Sequence, residues 1–260
     1  MYKYSIFLLC AAVPLFSNEN PPVEEGSRVG SLSIQHREPG GIGYHQGYTS
    51  LDFFYVPHLA DRVYGIVDMR GHVFNNGKWA SNAGMGARYL PKHQKVVFGA
   101  YAYWDWREAE HASFDQLSVG MEALGTLWDV HVNGYAPIGQ NKKRFDGHHY
   151  ELAMWGIDTT VGYWLWQSGS FGLHGAVGGY YFGGDFDKHA GGGLVCAEVR
   201  LSDWFSLKAQ VSYDNLFSWN AQGMAALNVP FGPRVQKGTL GRRLVQNPER
   251  FEIIIATTHE

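Results

Sequence analysis

Residues 115–137 read DQLSVGMEALGTLWDVHVNGYAP. Within them Leu117, Val119, Met121 and Ala123 alternate with Gln116, Ser118, Gly120 and Glu122. Beyond the Gly125-Thr126 break, Trp128, Val130 and Val132 alternate with Asp129, His131 and Asn133. A period of two, twice over, around a short glycine turn predicts a β-hairpin with one apolar and one polar face. What the apolar face touches, a second sheet or hydrocarbon, decides everything else.

The same alternation recurs along the chain. Strand-like segments are expected at residues 28–36, 46–56, 62–74, 79–89, 95–106 and 114–124. Others follow at 128–136, 150–166, 171–182, 192–201, 204–214 and 219–231. No convincing amphipathic helix interrupts them. The total is even, as a single-chain bacterial barrel requires, and the spacing accommodates tilted spanning strands of roughly 9–11 residues with short turns.

A soluble sandwich alternates too, so two further features carry the choice. Both signs of charge fall in mid-strand on the polar face: Asp68, Arg70, Arg88, Asp105, Glu122, Asp129, His131, Glu198, Arg200 and Lys208. In a narrow barrel that face lines the lumen, where opposite charges pair. Aromatics gather towards strand ends, at residues 53–55, Trp79, Tyr89, Trp104, Trp106, Trp128, Trp164, Trp166, Trp204, Trp219 and Phe231. That is the pattern of the two interfacial girdles of a membrane barrel. The expected fold is all-β, a single closed antiparallel transmembrane β-barrel of about 12 strands.

Glycine is abundant at 33 residues and only 17% of residues are charged, with a net charge of -3, which argues against a nucleic-acid partner. Two cysteines, Cys10 and Cys196, exclude a disulfide scaffold and a multi-cysteine metal site. Residues 1–17, with Lys3, an apolar run over 6–13 and Ser17, read as a signal peptide. Residues 18–26 then form a flexible leader, 27–231 the barrel, and 232–260 a basic tail. No stretch reaches the ~18 consecutive apolar residues of a membrane helix.

Quoted as SVGMEALGTLWDVHVNGYAPIG, the opening hairpin resembles the β-domain of inverse autotransporters, the intimin and invasin family of outer-membrane adhesins. The family-motif positions are Gly120 and Glu122 in the first strand, then Asn133, Gly134, Tyr135 and Pro137 in the second. GAYAYWDW (residues 99–106, with Asp105), ASNAGMGARYL (80–90), VPFG (229–232) and LVQNPERFEIII (244–255) are similar to further family segments. The resemblance implies a twelve-stranded barrel in the outer membrane of a diderm bacterium, reached by signal-directed export. It also implies outer-membrane lipid around the barrel and the barrel-assembly machinery as insertion partner. Family members add a peptidoglycan-binding module before the barrel and immunoglobulin-like passengers after it. This sequence is read as lacking both, which leaves a structural, surface-related or vestigial translocator role. Loops facing outside would meet any surface or host partner. The alternative is a small passive pore.

The tail has Arg234, Lys237, Arg242 and Arg243 early and an apolar run over 251–256. It is read either as a periplasmic extension or closing piece, or as a segment entering the lumen and pairing its arginines with Glu122, Asp129 and Glu198. No catalytic or metal site is assigned and no cofactor is expected. His148-His149 are loop residues whose side chains diverge. Asp129 and His131 share a strand face but lack a nucleophile at a defined spacing. The glycine runs lack the lysine-serine pair and helix of a phosphate loop. Cys196, on the polar face, is expected to be inert.

Overall fold

The computed structural model describes residues 28–92, 95–234 and 240–259; the expected signal peptide and leader lie outside the described residues. Among the described residues the first elements are β1 (Arg28–Glu38), β2 (Tyr48–Tyr55), β3 (His58–Ala60), β4 (Val63–Phe74), β5 (Trp79–Tyr89) and β6 (Val96–Glu108). Then come β7 (Ser113–Gly125), β8 (Trp128–Ile138), β9 (Lys142–Asp146), β10 (His149–Ala153) and β11 (Trp155–Ser168). The chain continues through β12 (Phe171–Gly183), β13 (His189–Arg200), β14 (Phe205–Asp214) and β15 (Ser218–Arg234). It finishes with one helical turn, α1 (Gly241–Leu244), and β16 (Ala256–His259).

Twelve of these strands close on themselves. β1 pairs antiparallel with β2 on one side and with β15 on the other, and β2 continues to β4. From β4 the ladder runs through β5, β6, β7, β8, β11, β12, β13 and β14 back to β15. β3 adds a short flap on β4, and β16, β10 and β9 form a separate three-stranded sheet. The expected strand over residues 150–166 is a correction: Met154 interrupts it, leaving β10 in the small sheet and β11 in the barrel.

The two faces are inverted relative to a soluble protein. On β7, Leu117, Val119 and Met121 are exposed while Gln116, Ser118 and Glu122 are buried. On β14, Leu207, Val211 and Tyr213 are exposed and Ser206, Ser212 and Asp214 buried. Among the described residues no second sheet covers the greasy side. Leaving each such side chain in water forgoes about 1.5–3 kcal/mol of burial, so a belt of this extent fits hydrocarbon, not water.

Two aromatics assigned to the girdles face inward instead. Phe54 is buried between the neighbouring Phe53 and Tyr55, which point out, as alternation demands. Trp164 is 6% exposed whereas Trp166 is 61% exposed. The register of β11 on β12 slips between these two tryptophans. A bulge adds one residue and reverses the parity of facing, so residues two apart land on opposite faces.

Inward glycines make room for inward rings. A Cβ at Gly120 would run into the Tyr101 ring and the Asn133 side chain, and one at Gly84 into Tyr103. At the β4–β5 turn, Gly77 adopts φ +85 after Asn75-Asn76, a left-handed position suited to glycine in a tight hairpin.

Candidate functional site: the filled lumen

The interior of the barrel is polar, charged and occupied. The occupant is the segment after β15. Leu244, at the end of α1, is buried among Phe54, Val56, Ile66, Val97 and Leu124, near the barrel end where β1 starts and β15 finishes. Ile253 packs with Tyr48, Phe74 and Ala80, and Ile254 with Ala109, Ala112 and Phe114, at the opposite end. Residues 244–254 therefore traverse the lumen. Beyond them β16 pairs with β10, in register from Tyr150↔His259 to Ala153↔Ala256.

Charge pairs hold this segment along its length. Arg243 Nη1 donates to Asp129 Oδ2 at 3.1 Å and to Gln246 Oε1 at 2.7 Å. The Lys208 ammonium lies 2.7 Å from Glu249 Oε2. Arg250 Nη2 donates to Asp105 Oδ2 at 2.5 Å and to Ser118 Oγ at 2.8 Å, with its guanidinium 4.2 Å from the Tyr103 ring centroid. Glu252 is gripped by Arg37 and Arg70, each at 2.7 Å, and by the Tyr48 hydroxyl at 2.7 Å.

Backbone groups of the segment are met as well, as burial away from water requires. Arg88 Nη1 donates to the Leu244 carbonyl at 2.6 Å, Asn133 Nδ2 to Glu249 O at 3.0 Å and Asn82 Nδ2 to Glu252 O at 2.8 Å. Arg107 Nη1 donates to Ile254 O at 2.5 Å, and the Phe251 amide donates to the Tyr135 hydroxyl at 2.8 Å.

The residues picked from the sequence fall as follows. Asp68, Arg70, Arg88, Asp105, Glu122, Asp129 and His131 are buried on the inner face. Glu198, Arg200 and Lys208 share that face but are only partly covered. Arg70 binds Asp68 at 2.7 Å, and Arg88 Nε donates to Glu122 at 2.5 Å, so Glu122 is taken by a strand arginine. His131 sits 3.6 Å from both Glu122 and Asp129, and His174 is 3.0 Å from Asp129. Arg242 lies 3.7 Å from Asp203 at the rim. Cys196 is inward and buried, its thiol 3.4 Å from Gln210 Oε1.

Of the motif residues, Gly120, Asn133 and Tyr135 meet at one place. Tyr101 donates to Asn133 Oδ1 at 2.9 Å, over the space that Gly120 leaves. Asn133 Nδ2 donates both to Asp158 at 3.0 Å and to the Glu249 carbonyl, while the Tyr135 hydroxyl donates to Asp158 at 2.6 Å and accepts from the Phe251 amide. Gly134 faces outward between them, and Pro137 pairs in register with Gln116. Sequence reading missed Arg37, Asn82, Tyr103 and Asp158, which alternation alone places inward. It also missed Glu249, Arg250 and Glu252, whose partners lie on strands far away in sequence.

Residues 68–188 match the family model of the inverse autotransporter β-domain. Over that stretch the barrel resembles the inverse autotransporter β-domain. The resemblance first read from the hairpin is thereby shown over β4 to β12, the stretch that contains the Gly120–Pro137 motif. No curated protein matches the chain in sequence. Among solved structures, one described as "Unveiling the Mechanism Behind the in-meso Crystallization of Membrane Proteins" superposes with a TM-score of 0.72 at 14% identity, covering 88% of this chain and 99% of its own. An outer membrane channel from Pseudomonas putida F1 gives 0.56 at 13% identity, covering 82% of this chain and 100% of its own. These likenesses are of fold. Together with the family match and the apolar belt they make this an outer-membrane β-barrel.

Proposed function

We propose that this inverse-autotransporter-type barrel is a closed translocator scaffold whose lumen is stopped by its own C-terminal segment, with a structural and surface-facing role. The carrying observation is the grip of Arg37 and Arg70 on Glu252, deep in the lumen and more than a hundred residues away in sequence. A lining of one sign would favour selective conduction. Here the inner wall carries both signs, and they pair with each other and with the segment. The longer connections, at residues 39–47 and 139–154, lie at the end where β16 docks, and longer loops mark the extracellular side of such barrels. On this reading the segment passes from the periplasmic end to the outside, with outer-membrane lipid around the belt and the barrel-assembly machinery inserting it.

Planar-bilayer recording tests the reading. The full chain is expected to pass little current, and deletion of residues 240–259 to open steady channels. Equal, steady channels from both proteins would replace this reading with that of a small passive pore.

A further inference from the structure

The segment does not fill the lumen evenly. Against the wall from β4 to β8 the charged side chains are sealed: Arg88 and Glu122 are both fully excluded from solvent. Against the wall formed by β11 to β15 and β1, with Arg70 of β4 reaching its edge, a cavity of about 290 Å³ remains, close to the roughly 300 Å³ at which small-ligand pockets begin. Its lining runs from Gln167, Asp203 and Asn228, beside the turns at the periplasmic end, inward to Lys208 and Glu249.

The chemistry of this lining is one-sided. Among the described residues around it, seven are Arg or Lys and three are Asp or Glu. The carboxylates that partner several of these cations, Asp68, Asp105 and Asp129, stand behind them against the far wall. Arg37 Nε, Arg243 Nε and Arg250 Nη1 are buried and bond no protein acceptor. One carboxylate does reach in from the segment itself. Glu249 meets Lys208 at 2.7 Å, and its side chain is still 35% exposed.

We propose that this vestibule is a binding site for a small anion of the phosphate or carboxylate class, with Lys208 as its central cation and Glu249 as a tethered competitor. Clustered guanidinium and ammonium donors with low-dielectric walls suit such anions. An incoming phosphate would displace the partly exposed Glu249 carboxylate and pair with the Lys208 ammonium in its place. The proposal rests on the lumen placement of the segment described above.

Calorimetric titration of inorganic phosphate into the refolded full chain in detergent micelles tests it, with the heat-modifiable electrophoretic shift as the check on folding. Glu249→Gln is expected to bind phosphate at least about tenfold more tightly than the unaltered chain, and Lys208→Gln added to it to cancel that gain. Equal affinity of the Glu249→Gln and unaltered chains would overturn the proposal, as would undiminished binding by the double variant. If deletion of residues 240–259 opens channels while Glu249→Gln gains nothing, the vestibule alone falls. If deletion leaves the current unchanged, the closed-scaffold reading falls first.

Discussion

Arg70 Nη1 lies 2.7 Å from Glu252 Oε2, although 182 residues separate them, and both side chains are almost wholly buried. Arg70 comes from a barrel strand and Glu252 from the segment inside it. The pair joins wall and occupant, and Arg37 completes the grip from β1. Removing one partner from a buried ion pair strands the other in a poor solvent, at a cost of about 3–5 kcal/mol. Glu252→Gln is therefore expected to loosen the segment. Limited proteolysis with mass spectrometry should show cleavage after Arg250 in the variant and protection in the unaltered chain. Glu110→Gln, which alters only surface contacts with Lys78 and Asn76, should change nothing measurable.

Gly120 faces inward against Tyr101 and Asn133, leaving no space for a side chain. Gly120→Val is expected to cost about 1–3 kcal/mol or more through overpacking. The yield of heat-modifiable, folded barrel after refolding into lipid should fall. Gly71, around which a Cβ meets nothing within 4 Å, serves as the contrasting site: Gly71→Ala should refold normally.

How far the sequence reveals this arrangement depends on the kind of interaction. Period-two alternation over residues 115–137 is a local signal. It places Glu122, Asp129 and His131 on the inner face because strand geometry leaves no other choice. The closed sheet follows from the same signal repeated, together with mid-strand charges that only a lined interior tolerates. The break at Met154 and the slip between Trp164 and Trp166 are different. They depend on cross-strand pairing, to which one strand's pattern is blind. The partners of Glu249, Arg250 and Glu252 are less legible still. An irregular segment has no period, so its contacts are fixed by where it threads and not by its own sequence.

The Trp164–Trp166 pair offers a direct check on that bulge. Trp166 stands on the outer surface, while Trp164 packs inside, 4.9 Å from the His174 ring centroid and under Arg200. Brominated acyl chains quench tryptophans they touch. Trp166→Phe is expected to reduce the quenchable fraction of emission, and Trp164→Phe to leave the quenched amount unchanged. Comparable losses of quenched emission from both substitutions would put the two tryptophans on one face and mean that β11 runs without a bulge.

Leu207 tests the belt. It is 42% exposed on the outer face of β14, next to the inward Ser206. An arginine on the lipid face of a barrel costs about 2–4 kcal/mol at mid-membrane. Leu207→Arg should lower the urea midpoint of unfolding from lipid vesicles by a corresponding amount. A substitution without effect there would remove the hydrocarbon from the account.

The occupied lumen itself is probed most directly by the thiol of Cys196, which is inward, buried and lines a small pocket beside Glu249 and Phe251. With Cys10 replaced by serine, its rate of alkylation by a water-soluble maleimide is measured in the full chain and after deletion of residues 240–259. The account predicts a near-inert thiol in the full chain and rapid labelling once the segment is gone. Equally fast labelling of both folded proteins would contradict it, since nothing would then stand between solvent and the inner wall.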